Sequence, residues 1–497
     1  MKLRDAIACL LLWAASGCGR AGLGSAPSPE GGEPPHASTI RLWSPQSTAL
    51  VVTPTPTLRF HFPTGVSAAK VEVCADRECR EVRWSSEVSV GVARVSTELS
   101  PGPWFWHVRA RGNRRTALES PTWVFRVNHR RATGGTSWLQ GWDCNGDGLD
   151  DIPLGWSGSF ALGSRAKAHA AQLSAELDGK PCGGMGAPPS CLALGELLPA
   201  GDVDGDGFAD ALAHVGLEGD INVGGNMMHV DQHVLLYRGR NGGIAEPVDS
   251  PVCAELRAAL PVGDIDGDGF ADVAARCDET WRLYRGSERG LLANSEVLTA
   301  PVVDALDVNG DGFADIMTGD GLRLGGPTGL GAPVDVAPMP VADVVGAVAR
   351  DDGGIDFVAG RQGQLTAWEV VLGHAVHAVQ RPWSRLAARR ASETVAVIGD
   401  IDGDGFDDLA EGHADARGWV QVRPGGPLAP KEPVLGCKDP MVDFGVPFAV
   451  GDVNGDGYED LGVSDINDNN VDKSVYFGGP HGVASQPAVT WDSWGRP

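Results

Sequence analysis

Asp202-Val-Asp-Gly-Asp-Gly-Phe-Ala-Asp210 is a nine-residue phrase that the chain spells six times. The other copies are Asp143-Cys-Asn-Gly-Asp-Gly-Leu-Asp-Asp151, Asp264-Ile-Asp-Gly-Asp-Gly-Phe-Ala-Asp272, Asp307-Val-Asn-Gly-Asp-Gly-Phe-Ala-Asp315, Asp400-Ile-Asp-Gly-Asp-Gly-Phe-Asp-Asp408 and Asp452-Val-Asn-Gly-Asp-Gly-Tyr-Glu-Asp460. The interval between the copies at 307 and 400 is close to twice the others, and a worn copy sits in that gap. With Asp356 at its ninth position, Asp352 takes the fifth, but Val348 and Arg350 take the first and third. Counting it, seven repeats fill residues 134–497, a period typical of small stacked sheet units.

The phrase has the chemistry of a metal loop. Side-chain oxygens at positions 1, 3, 5 and 9 and the backbone carbonyl of position 7 can surround one hard cation. The candidate ligands are Asp143, Asn145, Asp147, Leu149 and Asp151 in the first loop, and Asp202, Asp204, Asp206, Phe208 and Asp210 in the second. The third offers Asp264, Asp266, Asp268, Phe270 and Asp272, and the fourth Asp307, Asn309, Asp311, Phe313 and Asp315. The remaining two offer Asp400, Asp402, Asp404, Phe406 and Asp408, then Asp452, Asn454, Asp456, Tyr458 and Asp460. Glycines at positions 4 and 6 allow the left-handed backbone of a tight curl. An all-oxygen donor set without His or Cys selects Ca²⁺ over zinc or copper, and calcium accepts an irregular shell that magnesium would not. About six calcium ions are expected, and none in the worn copy, where Arg350 would point a cation at the site. Solvated Asx-Gly turns would explain one such phrase; six copies with the same ligand positions are not explained that way.

An EF-hand needs Glu at position 12 and flanking helices. Position 12 is Leu154, Ala213, Ala275, Thr318, Glu411 and Val463, so one copy complies. Each repeat instead continues into a strand closed by glycine, as in Val234-Leu-Leu-Tyr-Arg-Gly239, Trp281-Arg-Leu-Tyr-Arg-Gly286 and Val475-Tyr-Phe-Gly-Gly479. Short strands at this period predict the blades of a β-propeller. Over roughly three quarters of its length the chain resembles the FG-GAP/VCBS (integrin α-subunit-like) repeat family. The resemblance implies an all-β, seven-bladed propeller whose calcium loops lie in hairpins on one face. The Phe-Gly and Gly-Ala-Pro signatures of that family are weak here, and no Arg-Gly-Asp occurs, so no partner is carried over.

Upstream of the repeats, residues 40–130 alternate in strand fashion, as in Leu58-Arg-Phe-His-Phe62 and Trp123-Val-Phe-Arg-Val127, predicting a small β-sandwich. The run from Leu99 to Ala110, with Trp104-Phe-Trp-His-Val-Arg109 within it, resembles fibronectin type III-like domains. Residues 19–39 are a Gly-, Ser- and Pro-rich tether. Residues 1–18 read as an export signal with a short apolar core. Its ending, Ala15-Ser-Gly-Cys18, resembles a bacterial lipobox, implying lipidation of Cys18. Gly19 lacks the Asp that favours inner-membrane retention, so the resemblance directs the protein to the outer membrane or cell surface.

Ten cysteines suit an exported chain. Cys9 lies in the signal and Cys18 takes lipid. Cys74 with Cys79, Cys182 with Cys191 and Cys253 with Cys277 are close enough in sequence to bridge locally, with unpaired thiols as the alternative for any pair. Cys144 and Cys437 remain, and a bridge between them would staple the last repeat to the first.

Lys plus Arg number 40 against 65 Asp plus Glu, a net charge of −25. Such a surface repels phosphate and argues against nucleic acid and anionic membranes; lipid would be the only membrane contact. No G-x-S-x-G or H-E-x-x-H occurs, and the carboxylates belong to the metal pattern. The sequence therefore predicts a surface-displayed, calcium-stabilised binding or adhesion lipoprotein without catalytic activity, engaging an extracellular protein or glycan. A lectin-like propeller is the alternative, followed by a polysaccharide hydrolase or lyase, for which His229, Asp231 and His233 would be the first residues to try. His374 and His377 are a looser pair. Candidate contact segments are residues 217–232 and 465–470.

Overall fold

Alternating apolar and polar residues between glycine- and proline-rich turns give strands, and among the described residues no α-helix forms. Among these residues, therefore, no helix is long and apolar enough to cross a membrane. The computed structural model describes residues 39–491 apart from 112–116, 128, 130–136, 140, 155–158, 166–168, 173–175, 178–179, 182–191, 218–220, 224–225, 229–232, 246, 254–255, 342–343, 350–354, 362–363, 373–375, 382–393, 414–417, 426–433, 437–442 and 468–469. The expectations for Cys18, the tether, the 182/191 cysteine pair, Arg350, Asp352, His229, Asp231 and His374, the side chain of His233 and most of the two candidate contact segments lie outside the described residues.

The N-terminal strands build two sheets. Arg41–Ser44, Thr57–His61 and Val92–Arg94 form the smaller. The larger runs Ser137–Leu139, Ala49–Val51, Trp123–Val127, Gly102–Arg111, Ala69–Cys74, Val82–Val88, with Ala49–Val51 and Trp123–Val127 parallel and the other pairs antiparallel. Leu58, Phe60, Val71, Val73, Trp106, Val108 and Phe125 close the core between them. The strand Ser137–Leu139, beyond the Arg-rich stretch at 126–131, adds an edge to this sheet.

The repeats follow as successive antiparallel sheets. The first is Ile152–Pro153, Ser159–Leu162 and His169–Gln172. The next has Leu192–Gly201, Asp210–Leu217, His233–Tyr237 and Val248–Asp249 in spatial order, and the pattern recurs through the sheets opening at Leu256–Gly263, Val302–Leu306, Val344–Ala349, Thr394–Gly399 and Asp443–Gly451. Five of the aspartate phrases connect the first strand of a sheet to its second, as between Leu256–Gly263 and Asp272–Cys277; the first phrase leads into Ile152–Pro153.

The second strand of each sheet is buried on both faces, so its residues alternate between two cores. Ala211 and Ala213 pack with Phe160 of the preceding sheet, whereas Leu212 packs with Val273 of the following one. Ala274 in turn faces Ile316, and Met317 faces Phe357. Val358 meets Leu409, and Ala410 meets Leu461 and Val463. Finally Val475 and Trp491 of the last sheet pack on Ile152 and Ala161 of the first. The sequence of shared cores returns to where it began.

Cys74–Cys79 and Cys253–Cys277 are disulfides. Cys144 is a buried free thiol in the core with Trp142 and Phe160, so the expected staple is not formed; its expected partner Cys437 lies outside the described residues. The last and first repeats are joined by hydrogen bonds instead, described below. Because the Leu212 side chain is wholly buried between two sheets, Leu212→Ala is expected to cost about 2–5 kcal/mol. Scanning calorimetry should show a lowered Tm; a parental melt would show that this strand is not the core element described.

Candidate metal centre

The third loop shows how the phrase builds its own frame. Asp264 Oδ1 accepts the N–H groups of Gly267 (2.7 Å) and Asp268 (3.1 Å), and Oδ2 that of Gly269 (2.7 Å). Asp268 Oδ1 accepts from Phe270 at 3.1 Å. The curl needs φ between 70° and 75° at the six position-4 glycines and between 89° and 101° at those of position 6, values that side chains resist. In all six copies position 1 accepts the N–H of the glycine at position 6.

Position 9 has a different task. Asp272 Oδ2 accepts the N–H of Ile265 (3.2 Å) and Oδ1 that of Gly286 (3.0 Å), tying loop, second strand and end of the third strand together. Asp151, Asp210, Asp315, Asp408 and Asp460 make the same pair of bonds. Gly239 and Gly286, which close their strand signatures, and Gly478, one residue before the close of its own, are thus donors to their own loops.

The structure brings positions 1, 3 and 5 together. Ligand oxygens of Asp202, Asp204 and Asp206 lie within 4.8 Å of one another, as do those of Asp264, Asp266 and Asp268, and of Asp400, Asp402 and Asp404. The ninth aspartates stand outside these groups, their oxygens already bonded to backbone N–H, and Asp272 Oδ2 to Arg285 as well. In the loops with Asn at position 3, Asn145 and Asn309 donate to Asp147 and Asp311 while their carbonyls accept from the same residues' N–H. Asn454 Oδ1 accepts from Asp456 N–H at 2.8 Å. Asp266 Oδ1 is buried and accepts no hydrogen bond. Hard oxygens crowded together, one of them buried without a donor, fit a hard divalent cation. The worn copy contributes Asp356, buried at its ninth position.

Sequence reasoning missed two arginines. Arg285 reaches back from the strand end to Asp272 (2.6 Å) and Asp266 (3.7 Å), and Arg238 similarly to Asp204 (3.2 Å). Their signal was the shared Tyr-Arg-Gly closing both strands.

The loops also form a ladder. The position-8 N–H of one loop donates to the position-1 carbonyl of the loop before it: Ala209 to Asp143, Ala271 to Asp202, Ala314 to Asp264, Glu459 to Asp400. Asp150 of the first loop donates in the same way to Asp452 of the last (3.2 Å), and Asp150 Oδ2 accepts from Asp452 N–H at 2.8 Å. Buried Arg126 pairs with Asp150 and stands 4.0 Å from Glu459.

Beside the first loop lies a cleft of about 490 Å³. Trp104 and Phe105 are among its lining residues, with Asn145, Asp147, Arg165 and Asn241 adding amide, carboxylate and guanidinium groups.

No protein-family model and no curated protein matches the chain. Solved structures of β-propeller-like proteins do. A quinoprotein alcohol dehydrogenase-like protein from Bacteroides thetaiotaomicron is 11% identical over 92% of this chain and 97% of that one, with a TM-score of 0.38. The rhamnogalacturonan lyase PL11 of Bacillus licheniformis is 11% identical over 90% and 93%, TM-score 0.32. The exotype rhamnogalacturonan lyase YesX is 12% identical over 92% and 86%, TM-score 0.28. With two rhamnogalacturonan lyases among the likenesses, the expectation of a protein without catalytic activity is withdrawn. At these scores no reaction is carried to this chain.

Burial, then the neighbouring carboxylates, push Asp143, Asp206 and Asp268 up to about 7 and Asp307 up to about 8 from 3.8. Unfolding in the absence of an ion therefore releases protons above about pH 4, and stability falls as pH rises through 8. Chelated protein should melt at a lower temperature at pH 8 than at pH 6, with calcium raising Tm more at pH 8. A chelated melt indifferent to pH would contradict this.

Proposed function

We propose that the protein is a calcium-bound, seven-bladed β-propeller of the FG-GAP type, exported, lipid-anchored through Cys18 at the cell envelope, and engaging extracellular polysaccharide. The observation that carries the metal reading is the repeated frame itself. In every phrase the loop backbone turns position 1 inward, and in three of them aspartates at positions 1, 3 and 5 converge within 4.8 Å. Bound Ca²⁺ would supply the positive charge that such a cluster lacks. Its ligands would be the residues at positions 1, 3, 5 and 9 with the position-7 carbonyls of Leu149, Phe208, Phe270, Phe313, Phe406 and Tyr458. The fifth repeat, with Val348 and Arg350 in ligand positions, takes no ion. The shared cores and the loop ladder, each running from last repeat to first, support a closed ring of seven blades.

The polysaccharide reading rests on the cleft beside the first loop. A sugar offers apolar C–H faces to aromatic side chains and hydroxyls to planar amide, carboxylate and guanidinium groups. Trp104, Phe105, Asn145, Asp147, Arg165 and Asn241 supply that combination, and the acidic surface is unsuited to nucleic acid.

Elemental analysis of purified protein should find about six calcium ions per chain, and Asp264→Ala about one fewer; essentially no calcium would overturn the metal reading. In affinity electrophoresis against a polysaccharide panel including rhamnogalacturonan, retention should be lost in EDTA and fall about tenfold in the Arg165→Ala/Asn241→Ala variant. No retention by any member overturns the polysaccharide reading, and release of soluble fragments assigns cleavage as well as binding.

A further inference from the structure

The N-terminal sandwich sits on the aspartate loops, and its contacts fall on the atoms that the curl of each loop positions. Arg77 donates to the carbonyls of Gly146 (3.1 Å) and Gly207 (2.8 Å), at positions 4 and 6 of adjacent loops. Trp123 Nε1 donates to Gly205 O at 3.3 Å, and Arg59 to Gly310 O at 3.0 Å. His61 Nε2 is 2.7 Å from Gly267 O, and Ser47 donates to Gly207 O at 3.0 Å. These carbonyls are position-4 or position-6 glycines of four different loops. Their direction is set by the left-handed glycine φ values of the curl.

A second set of contacts reads the position-7 side chains. The Arg77 guanidinium lies 3.7 Å from the centroid of the Phe208 ring and that of Arg41 5.0 Å from Phe270. Trp43 meets Phe313 at 5.0 Å, and His129 stacks on Tyr458 at 4.4 Å. Each of these rings also covers the position-4 glycine of the neighbouring loop, where a Cβ would collide: Phe208 over Gly146, Phe270 over Gly205, Phe313 over Gly267, Tyr458 over Gly403. The position-6 glycines are pressed by the sandwich itself, Gly269 by Leu42 O, Gly207 by Thr122 O and Gly148 by Pro103.

We infer that the sandwich is a metal-dependent cap: it docks on the loop face only while the loops hold their curled, cation-bound form. The inference rests on the calcium reading above. Ligands at positions 1, 3 and 5 fix the backbone between them, so an ion clamps the same carbonyls and rings that Arg77, Arg59, His61 and Trp43 contact. When repulsion among unneutralised carboxylates opens the curl, these contacts lose their geometry in several loops together. The core of the sandwich, built on its own residues, is independent of them.

Hydrogen–deuterium exchange on the full chain, with calcium and after EDTA, separates the outcomes, with bound calcium measured on the same samples. Chelation should speed exchange roughly tenfold in peptides covering residues 41–44 and 76–79, while Val82–Val88, which makes none of the loop contacts described, stays unchanged. In saturating calcium, Arg59→Ala/Arg77→Ala should show the fast exchange of the chelated parent at these segments while retaining about six ions. Bound calcium with unchanged exchange on chelation overturns the cap and leaves the metal reading intact, as does parental protection in the double variant. Absence of bound calcium overturns both.

Discussion

The fold turns on buried aspartates that face inward to their own backbone. Asp202, Asp210, Asp264, Asp272, Asp315 and Asp460 are each at most 2% exposed, and burial of a carboxylate costs free energy unless hydrogen bonds and positive charge offset it. Backbone N–H groups supply the bonds. The ninth aspartate is the structural half of the arrangement, because in every phrase its two oxygens join the loop start to the end of a later strand of the same sheet. Positions 1, 3 and 5 are the electrostatic half, gathered close enough that protons or a divalent ion must lower their repulsion. One phrase therefore does both jobs: it sets the hairpin of five sheets and gathers carboxylates at one point.

How sheets follow from that hairpin is a matter of two-sided burial. A second strand such as Asp272–Cys277, with Val273 and Ala275 facing one neighbour and Ala274 the other, cannot be satisfied by one partner sheet. Each repeat demands two, and the demand is met all the way round only if the end meets the beginning. Asp150 and Asp452 meet there with two hydrogen bonds, and the Arg126 guanidinium compensates the buried Asp150 carboxylate at that seam.

Much of this was legible in the sequence because it repeats. Six copies of a nine-residue phrase fixed the loop positions, and the strand signatures ending in glycine located the third strands whose last N–H is now seen bound to the ninth aspartate. What could not be read were contacts without periodicity. Arg77, Arg59 and His61 carry no motif, and their loop partners lie between 69 and 251 residues away. The aromatic residue at position 7 recurs visibly, but its second role as a cover for the preceding loop's glycine depends on how neighbouring sheets pack. Cys144 looked like a bridge end only by elimination; its surroundings, Trp142, Phe160 and Tyr237, make it a small apolar filler. The Arg238 and Arg285 contacts were hidden in a strand signature that had been read for its glycine alone.

The circular seam has a consequence for how such a gene can change. A repeat whose ligands have decayed, like the one holding Val348 and Asp356, still gives Val358 to one core and Phe357 to another. Its aspartate phrase can be lost while its sheet cannot, since excising those codons would pull Asp150 and Asp452 out of register and strand two apolar faces in water. Point substitution can silence a unit, but unit number is locked.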